Sequence, residues 1–249
     1  MEMPHKIESK ITNLVGNINV PEFDPKGYFK HYLEKYNSFT CIITGSRMSG
    51  KSNMLKNFLI SKECGKLCDK FDMIVVFSKT LLNGHYQKFL KTKLLFDTYK
   101  PDVVETLKKL YEERKKQGKK FKWLAIFDDC VSGMKWEQSI TDCFYNGRHF
   151  GMSIFFLTQK GSETSTNWRN NTTLYVVLQN GSYKEKNFLS EGVIADAIIG
   201  QLPEEIGKSK VFAIGNKLQS TLTEDYNSII TTPYCKQKIH QYKAKLLKR

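Results

Sequence analysis

The sequence predicts an α/β fold, a mainly parallel central sheet with helices on both faces, and three observations predict it. Residues 45–52, Gly45-Ser46-Arg47-Met48-Ser49-Gly50-Lys51-Ser52, match the phosphate-loop pattern G-x-x-x-x-G-K-[ST] at every fixed position. Unbroken apolar runs at 73–77, 123–127 and 154–157 have the length and composition of strands buried on both faces of a parallel sheet. Segments with helical spacing of apolar residues lie between those runs, and alternation of strand and helix is the pattern of a layered α/β domain.

The loop is the most informative stretch. Ahead of it, residues 39–43 (FTCII) form a short strand-type run; behind it, Met54, Leu55, Phe58 and Leu59 recur at helical spacing. Strand, glycine loop and helix is the arrangement phosphate binding needs. Gly45 and Gly50 let the backbone turn and approach an anion, and the amides opening the helix meet it at the favourable end of the helix dipole. In this pattern Lys51 reaches the β- and γ-phosphates of a nucleotide and Ser52 ligates Mg²⁺. An ordinary Gly/Ser turn is the competing reading, and the flanking strand and helix count against it.

Residues 1–36 read as an N-terminal extension, residues 37–215 as the nucleotide-binding domain and residues 216–249 as a basic C-terminal tail. In the extension a Pro-containing turn at 21–27 leads into a short helix at 28–36, whose aromatics are expected to pack on the core. Pro101 opens a helix over 102–117 with Val103, Val104, Leu107, Leu110 and Tyr111 on one face. Residues 123–130 (WLAIFDDC) are the second anchor. A hydrophobic strand ending in two acids delivers a carboxylate to its C-terminal edge, where it can hold Mg²⁺ directly or through water. Asp128 is the metal candidate, and Asp129 is the candidate for orienting and deprotonating an attacking water. A helix over 136–145 and a strand ending Thr158-Gln159 follow. Residues 173–179 read as a strand, 188–199 as mostly helix, 210–215 as a last short strand, and the tail from Lys236 as a basic helix carrying Ile239, Tyr242, Leu246 and Leu247 on a partial apolar stripe.

The 249 residues carry a net charge of +14 with 40% hydrophobic and 26% charged residues, a globular composition. The charge is uneven: residues 114–122 and 235–249 each hold six basic and no acidic residues, leaving 27 basic against 25 acidic elsewhere. Such runs are often solvated faces, but two of them on a nucleotide-binding domain favour a polyanionic partner. No run of roughly 18 apolar residues is present, so no membrane span is expected, and the opening residues lack a signal-type apolar stretch. A cytosolic-type compartment with reduced thiols is expected, since the six cysteines are scattered rather than framework-spaced. Cys64 and Cys68 form the one close pair, without a second pair at zinc-ligand spacing.

The phosphate loop, the strand ending Asp128-Asp129, and Gly147-Arg148-His149-Phe150-Gly151 entering a strand that ends Thr158-Gln159 together resemble the FtsK/HerA superfamily of DNA-pumping ATPases. The Gly-Arg-His form and compact size are most similar to the genome-packaging ATPases of poxvirus-type large DNA viruses, virophages and polinton-like viruses. The resemblance covers about residues 38–180. It implies a RecA-like P-loop NTPase fold, ATP and Mg²⁺ as cofactors, Gln159 as the sensor of the γ-phosphate, and Arg148 as the arginine that reaches a neighbouring subunit's nucleotide, with Arg169 as the second candidate. It departs from the family in Asp129, where a glutamate is common. His149 reads as a packed structural histidine rather than a ligand.

The expected function is therefore an ATP-driven double-stranded DNA translocase. It would package a viral genome as a homo-oligomeric ring of five or six subunits docked on a capsid or vertex protein at the virion assembly site of the host cell. Two alternatives stay open: a small-molecule phosphotransferase of nucleotide-kinase type, which needs an arginine-rich lid that the sequence does not show, and a non-enzymatic basic virion protein. Lys51, Ser52, Asp128 and Asp129 all being present argues against the second.

Overall fold

The computed structural model describes residues 23–130 and 137–178, residues 182, 184, 185 and 188, and the backbone of two C-terminal strands. Helix α1 (Pro25–Lys35) starts where Asp24 Oδ1 accepts from the Gly27 N–H at 3.0 Å and Pro25 presets the first helical φ. Strand β1 (Thr40–Thr44) enters the phosphate loop, and α2 (Lys51–Ile60) leaves it. Next come β2 (Met73–Ser78), a two-residue β3 (Leu95–Phe96), α3 (Pro101–Lys116), β4 (Trp123–Asp128), α4 (Glu137–Asn146), β5 (Met152–Thr158), the single-turn α5 (Thr166–Asn170) and β6 (Leu174–Val177). Strands β7 (Tyr226–Thr231) and β8 (Ile239–Ala244) complete the described chain.

The eight strands form one sheet in the order β3-β2-β4-β5-β1-β6-β7-β8. The first six are parallel; β7 pairs antiparallel with β6, and β8 with β7. The fold is thus the expected RecA-like α/β arrangement, a mainly parallel sheet between helical layers. Period-two alternation divides the strand residues between the layers. Cys41, Ile43, Leu124, Ile126 and Phe155 pack with Tyr28 and Phe29 of α1 and Met54, Leu55 and Phe58 of α2. Ile42, Trp123, Ala125, Phe127, Ile154 and Phe156 pack with Val104 and Leu107 of α3, Ile140, Cys143 and Phe144 of α4, and Trp168 of α5. Of the aromatics expected to pack, Tyr28, Phe29 and Tyr32 are buried core residues, whereas Tyr36, just past the end of α1, is exposed. Among the described residues no helix is long and apolar enough to cross a membrane.

The structure departs from the sequence expectations at several places, and it adds α5 and β7 where the sequence suggests no helix or strand. The tail from Lys236 reads as a helix, yet its residues 239–244 are β8. An apolar spacing of three or four fits a helix, but the outer side of β7 offers unpaired backbone groups that pair with another strand. The segment from 79 to 100, to which the sequence assigns no element, contains short 3₁₀ turns at Leu81–Asn83 and Tyr86–Lys88 and then β3. His149, expected to pack, is exposed. The readings at Trp136, Gln179, 189–199, 210–215 and the rest of the tail lie outside the described residues.

The turn into β5 depends on a glycine. Gly151 has φ 61°, and a Cβ there would lie 2.6 Å from the Phe121 carbonyl oxygen and 2.9 Å from Tyr111 Cε2. Gly118 also has positive φ, 70°, but a Cβ there would meet nothing within 4 Å. Left-handed backbone costs an L-residue about 1–2 kcal/mol, and overpacking a close approach adds about 1–3 kcal/mol. Urea unfolding of Gly151→Ala should therefore show a destabilisation exceeding that of Gly118→Ala by at least about 1 kcal/mol. Equal destabilisation would mean that only the backbone conformation matters at 151.

Candidate active site

A parallel sheet sends the C-terminal ends of its strands to one edge, and the candidate residues collect there. The loop after β1 is tied to β5 by the Gly45 N–H donating to the Thr158 carbonyl at 3.3 Å. A Cβ on Gly45 would sit 2.8 Å from Leu178 Cβ and collide with Ser49 Oγ, so only glycine fits. Gly50 turns the chain into α2 at φ 94° and, having no side chain, supplies no cap; the amides of the first turn stay available to an anion. Ser49 Oγ and Thr44 Oγ1 are buried without a hydrogen-bond partner among the described residues. Buried hydroxyls in that state suit a ligand-lined pocket better than a core. Arg47 and Met48 at the loop's tip are exposed, Met48 at 92%.

Lys51 lies over this loop. Its Nζ donates to the Gly45 carbonyl at 2.8 Å and the Ser46 carbonyl at 3.1 Å, which leaves one of three ammonium donors for a phosphate oxygen. Burial lowers its pKa, while the charges of Asp129 and Asp128 push it back up. The ammonium is thus held by backbone carbonyls over the loop, with the two carboxylates favouring its charged form.

Asp128 closes β4 and is only 5% exposed. Its Oδ2 accepts from Tyr86 Oη at 2.7 Å and from Ser78 Oγ at 3.1 Å; Oδ1 has no hydrogen bond among the described residues. Burial raises its pKa, countered by the Tyr86 and Ser78 hydrogen bonds and by Lys51, with Asp129 adding to the rise. Tyr86 is fully buried and its phenol is raised well above the ordinary value, by burial first and then by Asp128, so it donates. Asp129, next in sequence, turns out of the strand at φ 48°, and its N–H donates to the Leu157 carbonyl at 3.3 Å. That turn sends its carboxylate toward solvent, where Oδ2 accepts from Gln159 Nε2 at 2.8 Å. Asp129, Thr158 and Gln159 line a crevice of about 450 Å³ together with Lys79, Thr80 and Phe127.

The structure thus brings the loop, Lys51, Asp128, Asp129 and Gln159 to one edge, with β5 lying between the loop strand β1 and the acid-bearing strand β4. Arg148 is elsewhere: it lies in the 3₁₀ turn Gly147–Phe150 ahead of β5, at the opposite edge, exposed and with its guanidinium unpaired among the described residues. Arg169 is engaged within its own subunit. Its Nη1 donates to the Thr164 carbonyl, its Nη2 to Thr166 Oγ1 at 3.0 Å, and its guanidinium covers the Phe188 ring at 4.9 Å. Tyr86 was not legible in the sequence; Ser78 gave a partial signal as the polar end of an apolar run.

Hydroxyl and carboxylate oxygens, with phosphate and water to complete the shell, are the donor set Mg²⁺ takes. Ser52 and Asp128 Oδ1 fit that set, and among the described residues no three His, Cys, Asp or Glu side chains converge into an all-protein metal cage. Cys64 and Cys68 are not joined in a disulfide.

A phosphate loop between strand and helix, with a buried carboxylate two strands away on a parallel sheet of this order, defines a P-loop ATPase. A family model described as Poxvirus A32 protein matches residues 26–195, and the chain belongs to that family. No curated protein matches it. Among solved structures, the genome packaging NTPase B204 of Sulfolobus turreted icosahedral virus 2 with AMPPCP superposes with a TM-score of 0.58 at 19% identity, covering 85% of this chain and 100% of that one. Its complex with ATP-gammaS gives 0.55 at 16% identity, covering 85% and 99%. EssC (ATPases 2 and 3) from Geobacillus thermodenitrificans gives 0.54 at 13% identity, covering 86% of this chain and 40% of that one. These likenesses show the same fold.

Proposed function

We propose that this protein is an ATP-driven double-stranded DNA motor that packages a viral genome, working as a homo-oligomeric ring with hydrolysis at subunit interfaces. The observation that carries this reading is the division of the machinery between the two edges of one sheet. Loop, acids and glutamine stand at one edge, while the unpaired Arg148 stands at the other, out of reach of its own subunit's loop, so that any nucleotide it contacts would be a neighbouring subunit's. Family membership and the likeness to B204, a packaging NTPase, support the packaging role.

In this reading the loop amides and Lys51 would hold the β- and γ-phosphates, and Ser52 with Asp128 would hold Mg²⁺, whose charge would offset that of the phosphate oxygens. Asp129 takes the proton of the attacking water, and Gln159, bonded to Asp129, links that acid to the γ-phosphate position. The motor would dock on a capsid or vertex protein at the virion assembly site. ATP hydrolysis by the intact chain should rise strongly on adding duplex DNA; stimulation by a nucleoside monophosphate and not by DNA would replace the motor with a kinase.

Lys51→Ala should abolish turnover, and Asp129→Asn should bind ATP yet hydrolyse it poorly. Arginine fingers are worth on the order of 10³ to 10⁵ in rate, so Arg148→Ala should bind ATP almost normally and turn over very slowly. Mixed with Lys51→Ala subunits, it should regain activity above the sum of the two variants, because some interfaces then pair an intact loop with an intact arginine. Co-assembly without any such gain moves the role to Arg169.

Residues 114–122 form the exposed end of α3 and the turn into β4. Lys115, Lys116, Lys119 and Lys120 are exposed there. If this run touches DNA, changing all four to Gln should weaken duplex binding and flatten the plot of log K against log salt by about 0.9 for each phosphate the protein no longer neutralises. An unchanged slope assigns DNA binding to other residues.

A further inference from the structure

The segment after β2 leaves the sheet and returns to the metal site. Ser78 is in register with Asp128 on the adjacent strand. The chain then passes through the two 3₁₀ turns, and the second of them opens with Tyr86, 42 residues from Asp128 in sequence. Tyr86 is the buried member of that turn: its ring packs in the same core as Met54, Leu55 and Phe58 of α2, against His85 at 5.4 Å and Phe89 at 5.8 Å. The ring is therefore held by packing, and the hydroxyl has one direction left, toward Asp128 Oδ2. Ser78 is fixed as well, with its Oγ accepting from the Thr80 N–H at 3.2 Å and lying 2.9 Å from Thr80 Oγ1. Two anchored donors thus converge on one carboxylate oxygen and leave the other unbonded.

We infer that Tyr86, with Ser78, is a positioning residue for the metal site: the two hydroxyls hold Asp128 Oδ2 so that Oδ1 is presented to Mg²⁺. The inference rests on the reading of Asp128 as the Mg²⁺ ligand. Without the two donors a buried carboxylate can rotate about its last torsion, and neither oxygen is then fixed toward the metal. Ligating carboxylates are themselves oriented by hydrogen bonds from outside the metal shell, and removing such a partner costs about 10- to 100-fold in metal affinity.

The test compares Tyr86→Phe, Ser78→Ala and Asp128→Asn in the full-length protein. Fluorescent-ATP binding is measured in EDTA and across a Mg²⁺ titration, and Mn²⁺ binding in the presence of ADP is followed by electron paramagnetic resonance. Tyr86→Phe keeps the ring and its packing. It should leave binding in EDTA within about twofold of the parent and raise the Mg²⁺ and Mn²⁺ concentrations for half-saturation by about tenfold. Ser78→Ala should shift them in the same direction. A Tyr86 that merely fills space predicts parental half-saturation in Tyr86→Phe and Ser78→Ala while Asp128→Asn shifts it, and that outcome overturns the inference. If Asp128→Asn also binds Mn²⁺ as the parent does, the metal assignment fails and this inference falls with it.

Discussion

The site depends on the burial of one carboxylate. β4 is covered on both faces, so the last residue of the strand arrives at the edge with its side chain already desolvated; Asp128 is only 5% exposed. An isolated buried carboxylate is expensive, and the usual escape is to take up a proton. Here the direction of its pKa shows that burial is the largest influence, while hydrogen bonds from Tyr86 and Ser78 and the Lys51 charge oppose it. Only the charged form is useful to a divalent cation. The surrounding donors are therefore part of what would let this strand end serve the proposed metal role rather than remain a strained end of the core.

The same edge separates two acids adjacent in sequence. Continuing β4 by one more residue would place Asp129 on the opposite face, but at φ 48° it leaves the strand instead and reaches Gln159 across the neighbouring strand end. One acid thus stays buried beside the helix carrying Lys51, while its neighbour sits in an open crevice with a polar partner. This separation fits a division of labour between holding a metal and handling a proton. It also bears on the shorter side chain of Asp129. A carboxylate already displaced toward the crevice by its backbone needs less reach than one still in the strand.

What the sequence made legible follows from how local each feature is. The loop is specified by eight consecutive residues, and strands β2, β4 and β5 are apolar runs because burial on both faces leaves no polar alternation to blur them. Asp129 and Gln159 were legible as the ends of such runs, though their hydrogen bond was not, since it joins strands whose adjacency the sequence does not state. Tyr86 was hidden for the same reason more strongly, as its partner is 42 residues away and its own segment has no period. β8 was misread because Ile239 and Tyr242 satisfy a helical spacing, and the deciding fact, an open sheet edge at β7, belongs to the tertiary structure.

The position of Arg148 constrains how copies of this chain could assemble. β5 is seven residues long, so the turn carrying Arg148 and the crevice at Gln159 lie on the order of 20 Å apart, more than an arginine side chain spans. Its proposed role at a phosphate therefore requires the amino edge of one sheet to face the carboxyl edge of the next. Those are different surfaces, so the contact is heterologous rather than two-fold symmetric, and repeated heterologous contacts close into a ring or run on as a filament. Arg169 imposes no such requirement, because its guanidinium is already engaged by Thr164, Thr166 and the Phe188 ring of its own chain. Of the two arginines, the unpaired one at the far edge is the one whose chemistry would be completed by a neighbour.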